Sequence, residues 1–249
     1  MKHCKKILSV FAIALAFGAC LTTGKVKEEP FTVDPRSPRI LLGTIDAQFE
    51  RFLSIGGLQK STVTVQYVPK EDAVCLQYRM DFMTYNQFWS RDGRETFLRA
   101  VEQYKEDYEQ RNLNRRDRNS SRKYGVVQGY LIWRMSAITT QAYGVSKIEI
   151  GYRFRDTASS SGGRQLLPYF TTHQLDTFYE DTMSRDNSRT SPKILMYFTR
   201  TQADALAAFF DQQFLLEFAA NNAASSILDD EDFYDDTQEP AGAAPDFDY

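Results

Sequence analysis

The residues able to do chemistry are few, and their spacing limits what they can do. His3 and His173 are the only histidines, and Cys4, Cys20 and Cys75 the only cysteines. His3 and Cys4 lie in an N-terminal stretch read below as removed. A mature chain then keeps one imidazole, where most zinc sites need a second nitrogen ligand or closely spaced thiolates. Cys75 has no partner for an internal disulfide once Cys20 is otherwise engaged. It is read as a small buried residue. His173 stands in a polar context near an expected helix start and is read as structural, although its class titrates near neutrality. Ser120-Ser121-Arg122-Lys123 matches S-x-x-K only in letters, because it lies in a charged loop without the companion motifs of an acyl-enzyme. In the run IGGLQKST, Gln59 stands where a phosphate-binding loop needs glycine before the lysine. Acids are plentiful, but no pattern selects two of them for glycoside hydrolysis, which needs carboxylates about 5–10 Å apart. No metal and no cofactor is expected, and a hydrolase with an unrecognised carboxylate site is the third-ranked function.

Binding chemistry is better represented. Residues 111–123 carry six basic residues and one Asp. They serve either as a solvated connection after a helix or, through Arg115, Arg116, Arg118 and Arg122, as contacts to anionic headgroups. Nucleic acid is excluded as a partner, since the basic patch is small. Residues 229–249 carry nine acids and no base, the composition of a disordered tail or of a docking peptide for a basic partner. The polar face of the expected sheet gathers Gln77, Arg79, Tyr130, Arg134, Arg153 and Arg155. It is either a plain solvent face or a surface for a ligand or partner, with Arg79, Tyr130, Arg134 and Arg153 as the binding residues, because Tyr and Arg are favoured at interfaces.

The N-terminus has its own logic. Lys2, Lys5 and Lys6 precede an apolar run from Ile7 to Phe17, then Gly18, Ala19 and Cys20. A helix of that run spans roughly 16 Å at about 1.5 Å per residue, short of the ~30 Å hydrocarbon core. The layout is that of a secretory signal. The stretch Leu15-Ala16-Phe17-Gly18-Ala19-Cys20 resembles the lipobox of bacterial lipoproteins. Phe17 replaces the usual Leu, a departure tolerated in spirochaetal members. The resemblance covers about the first 20 residues. It implies that Cys20 is acylated and becomes the first mature residue, carrying two or three chains. One chain alone holds only marginally, whereas two or more hold stably. Leu21, in place of the Asp that retains enterobacterial lipoproteins in the inner membrane, points to the outer membrane.

The elements that must position these groups follow from periodicity. Residues 39–55 place Leu42, Ile45, Phe49, Phe52 and Leu53 at helical spacing. Residues 61–83 read as a hairpin, with Val74, Leu76, Tyr78, Met80 and Phe82 on one face and a turn at Pro69–Asp72. A helix capped by Asp92, with Glu95 in capping-box position, carries Phe97, Val101, Tyr104 and Tyr108 in one stripe. Strands follow at 124–138 and 146–155, then a loop at 156–165, a short helix at 172–182, and a strand at 193–199 apolar on both faces. A last helix runs from 202 to 222, capped by Thr201 with Asp204.

The organisation expected is a signal peptide at 1–19, a lipidated cysteine and tether at 20–38, one globular domain at 39–225, and an acidic tail at 226–249. The fold expected is α+β: a mainly antiparallel sheet of about five strands, with two long helices and one or two short helices packed on one face. The function expected is that of a non-enzymatic envelope lipoprotein that binds another envelope protein. The alternative is a carrier holding a lipid or other small hydrophobic ligand between the sheet and the helices. The bilayer itself is a partner through Cys20.

Overall fold

The computed structural model describes residues 30–50, 58–80, 82–113, 121–135, 141–158, 164–175, 178–180, 188–190, 193–222 and 227–228. The chain divides at Pro30/Phe31, and the fold belongs to the unit that begins at Phe31. The elements in order are β1 (Arg39–Glu50), β2 (Leu58–Val68), β3 (Ala73–Met80), β4 (Met83–Trp89), α1 (Arg91–Glu109), β5 (Ser121–Met135), β6 (Ala142–Ala158), β7 (Arg164–Gln174), β8 (Phe178–Glu180), β9 (Ser188–Thr190), β10 (Ile194–Phe198), α2 (Arg200–Phe210), α3 (Gln212–Asn222) and β11 (Ile227–Leu228).

Strands β1 to β7 form an antiparallel meander, and β10 pairs with β7 on one edge and β1 on the other. The sheet therefore closes into a ring of eight strands, with β11 as a ninth paired to the start of β1. The closing seam is short, with Gln48 opposite Tyr197 and Phe49 opposite Met196. This corrects the expected sheet of about five strands: the domain remains α+β but is far richer in strand. The expected two long helices are also revised: among the described residues only α1 is long, at 19 residues, and the last helix is two of 11 residues each.

The corrections have physical causes. Residues 39–50 form a strand rather than a helix. Ile45, Ala47 and Phe49 face inward at period two, while Thr44, Asp46 and Gln48 face outward. Ile45 and Phe49 are four apart, a spacing that satisfies both periods, so the pattern misleads. Strand β4 escapes a hydropathy reading because both its faces are buried, including Asn86 and Gln87. The expected helix at 172–182 is instead the end of β7 followed by β8, and the expected loop at 156–165 is entered by β6 and β7 from either side. The last helix breaks at Asp211, whose side chain accepts from Phe214 N at 2.8 Å and starts α3. The caps lie slightly upstream of expectation: Ser90 caps α1, and Thr199 with Gln202 forms a capping box on α2.

Inside the ring, Phe49, Val65, Leu76, Leu131, Ile148 and Met196 form one core with both α1 and α2. The helices cover the end of the ring where β4 and β10 finish. There Phe97 packs against Phe170 at 5.3 Å and Phe210 at 4.7 Å, and Phe210 against Trp89 at 5.3 Å between ring centres. A polar string crosses the interior: Trp89 Nε1 donates to Gln87 Oε1 at 3.2 Å, and Gln87 Nε2 donates to Gln174 Oε1 at 2.8 Å. Gln87 and Gln174 sit on strands three apart in the ring, so this bond ties opposite walls.

The guanidinium of Arg94, on α1 and 1 % exposed, joins three elements. It meets Asp72 Oδ1 at 2.7 Å and Asp72 O at 3.1 Å in the β2–β3 turn, and Phe210 O at 3.2 Å at the end of α2. Tyr67 Oη and Gln212 Nε2 also donate to Asp72 Oδ1. Outside the ring, Val33 is buried with Val68, Cys75, Phe88 and Tyr130, so the last part of the expected tether lies folded on the sheet. Arg39 holds this segment, reaching Pro35 O and Asn86 Oδ1 while its guanidinium lies 5.3 Å from the Phe88 ring centre.

Candidate binding surfaces on the outer wall

Three of the six polar-face residues come together as expected. Arg79 pairs with Thr84 on β4, and Thr84 pairs with Arg134 on β5. The two arginines therefore flank a small buried threonine on the outer wall, with Gln77 one row above, opposite Asn86. Met80 opposite Met83 closes the hairpin, and Phe82 stands in its turn with 80 % of its surface exposed. Alternation continued from β3 would put Phe82 on the buried face. The strand ends at Met80, and the turn directs Phe82 into solvent. The β3–β4 tip thus offers one exposed aromatic ring beside Arg79 and Arg134, at the end of the ring opposite the helices.

Tyr130 does not join this surface. It is on the same wall but is covered by the 31–33 segment and packs near Phe88. Arg153 pairs with Ser121 at the start of β5, whereas Arg134 lies near its end. At ~3.4 Å per residue the two are about 40 Å apart along the strand.

Arg153 belongs to a second group, over β6, β7, β10 and β1. Its Nη2 lies 3.3 Å from His173 Nδ1, and Glu149 Oε2 is 3.8 Å from the same nitrogen. Lys123 pairs with Glu149. Burial, with Arg153 nearby, pushes the His173 imidazole below its ordinary value, so the neutral ring is favoured. Beside it, Arg155 pairs with Glu50 and donates from Nε to Tyr197 Oη at 2.9 Å; Tyr197 in turn donates to Glu50 Oε2 at 2.9 Å. Burial alone would raise the Glu50 carboxyl, but the bonds from Arg155 and Tyr197 outweigh it and hold it below its usual range. Burial and the Glu50 charge push the Tyr197 phenol up to about 12. This trio bridges β1, β6 and β10 across the seam and therefore acts as its clasp. Its members lie far apart in sequence, and only Arg155 carried a signal that alternation could detect.

The other residues expected to bind do not gather into one surface. Arg122 pairs with Asp107 Oδ2 at 2.9 Å, at the end of α1, and Tyr124 Oη donates to the same oxygen. Burial and that carboxylate push the Tyr124 phenol well up. Arg122 is thus paired within the fold, with about half of its side chain exposed. Cys20, Arg115, Arg116 and Arg118 lie outside the described residues. Cys75 is buried, its thiol 3.7 Å from Asn86 Oδ1. Among the described residues, no cluster of three or more His, Cys, Asp or Glu could hold a metal ion, and no helix is long and apolar enough to cross a membrane.

Neither the curated proteins nor the solved structures include a match to this chain. A family model described as an uncharacterised Treponema protein matches residues 39–217, from the first strand of the ring into α3. Treponema is a spirochaete genus, so the match is consistent with a spirochaete origin; the residues read as a lipobox lie outside it. The match takes in the whole ring and its two core helices, and the chain therefore belongs to this family of Treponema proteins.

Proposed function

We propose that this chain is a non-enzymatic binding domain of the cell envelope, anchored through acylated Cys20, that meets another envelope protein with its outer wall at the β3–β4 tip. The observation that carries this reading is Phe82, four-fifths exposed at a hairpin turn and flanked by Arg79 and Arg134. Aromatic and arginine side chains supply most strong anchors at protein interfaces.

The state of the interior supports binding on the outside rather than carriage within. An eight-stranded ring is just wide enough either to be filled by its own side chains or to hold one small ligand. Here Phe97, Phe170, Phe210, Trp89 and Leu206 occupy the region between sheet and helices, all at most 1 % exposed. A carrier needs a cavity of about 300 Å³ or more. Native mass spectrometry of the folded mature chain checks this. The expected mass is that of the polypeptide with its acyl groups alone. A further small molecule that co-purifies, and leaves only on unfolding, would contradict outward binding and restore the carrier.

A further inference from the structure

We infer that the outer wall of β5 and β6 rests on the anionic lipid surface to which the chain is tethered, with Lys123, Lys147 and Arg153 contacting headgroups. The inference depends on the anchoring of Cys20 proposed above, and it adds which face of the domain meets the membrane.

Two independent observations converge on this wall. The first is where the tether leaves the fold. Phe31 N donates to Gln128 Oε1 on β5 at 3.2 Å, and Gln128 pairs with Lys147 on β6. Ten residues separate Phe31 from Cys20. A chain of that length spans at most about 40 Å. The proposed point of attachment therefore lies within that distance of Phe31, whose backbone is bonded to this wall.

The second is its charge and texture. Over residues 121–128 of β5 and 143–153 of β6, the outward residues are Ser121, Lys123, Val126 and Gln128, with Tyr143, Val145, Lys147, Glu149, Gly151 and Arg153. Its charged members are three cations and one carboxylate, Glu149, which Lys123 partly neutralises. Val126 and Tyr143 are exposed apolar side chains among them. Basic residues interleaved with exposed apolar and aromatic groups suit the headgroup region, where cations meet anionic lipid and aromatic rings settle at the interface. Strand β2, three places from β5 and four from β6 in the ring, presents Thr62 and Lys60 opposite Asp46 and Gln48 on β1, where one cation is matched by one carboxylate.

The test uses the full acylated chain in vesicles of phosphatidylcholine with about one-third phosphatidylglycerol, a composition set by the charge argument. Single cysteines carrying a fluorophore replace Val126 (V126C) or Thr62 (T62C), since Cys75 is buried. Brominated lipid is expected to quench the probe at 126 at least three-fold more than the probe at 62. Lys123→Glu with Lys147→Glu is expected to remove that preference while the circular dichroism spectrum stays unchanged. Equal quenching at the two positions in an acylated chain would overturn this inference alone. Preference that survives the charge reversal would overturn the assignment of those lysines to headgroups. A mature chain whose mass shows no acyl group would overturn the anchor itself.

Discussion

Arg94 is a buried cation that ties three elements together. Its guanidinium is buried and bonded to the β2–β3 turn and to the end of α2 at once. Removing one member of a buried pair strands the other, at about 3–5 kcal/mol. Asp72 is partly exposed, so Arg94→Met is expected to cost about 3 kcal/mol in urea unfolding. A loss below about 1 kcal/mol would show that water replaces the pair. Gly151 is a second point without tolerance. A Cβ there would stand 2.1 Å from the backbone oxygen of Arg122 on the neighbouring strand. Gly151→Ala is therefore expected to destabilise by about 1–3 kcal/mol, read as a lower thermal midpoint. The seam clasp sets a pH response. The Glu50 carboxyl is held low when folded, so its contribution is whole above its unfolded value of about 4.5 and fades as pH falls through the folded value. His173 is also held low, so its contribution is whole above about 6.5 and is lost in turn as pH falls. Both effects act in one direction: stability should decline in two stages on acidification. Glu50→Gln should abolish the lower stage and leave the upper one. A wild-type profile flat from pH 7 to pH 4.5 would contradict the His173 assignment, and one with no further decline below pH 4.5 would contradict that of Glu50.

At the scale of elements, the molecule depends on a seam of two residue pairs. Backbone bonds there are few, so the amides of Gln48, Phe49 and Tyr197 are expected to exchange with deuterium sooner than those of β3, which is paired along its whole length. Tyr197→Phe removes the hydroxyl that links Arg155 to Glu50, and it should speed that exchange further without altering exchange in β3. The elements also explain what the sequence could disclose. The β2–β3 hairpin, α1 and β10 were legible because each buries one clear stripe or run, such as Ile194 to Phe198. Strands β1 and β4 were not. In β1, four-residue spacing imitated a helix. In β4, Asn86 and Gln87 look like surface residues, yet one receives Arg39 and the other ties β4 to β7. Of the candidate surface, Arg79 and Arg134 could be placed on one face by alternation, because that requires only local period. Phe82 could not, because its exposure depends on where β3 ends. Glu50 and Tyr197 could not, because closure joins residues 147 apart in the chain.

For the whole molecule, ring closure makes the N-terminal strand and the last strand of the meander parts of one core. Unfolding should therefore be a single transition, and Cys75, buried in the outer cluster under Val33, should react with thiol reagents only at the rate of that opening. The proposed recognition lies on the outside of the ring, where Phe82 is 80 % exposed in the β3–β4 turn. Contact between the β3–β4 tip and an envelope protein is read by photocrosslinking in living cells from a benzoyl-phenylalanine placed at position 82, with the same residue at position 62 as a control. One discrete adduct is expected from position 82, absent from position 62 and lost when Arg79→Glu and Arg134→Glu accompany the probe. No adduct at position 82, or an identical pattern from both positions, would contradict it.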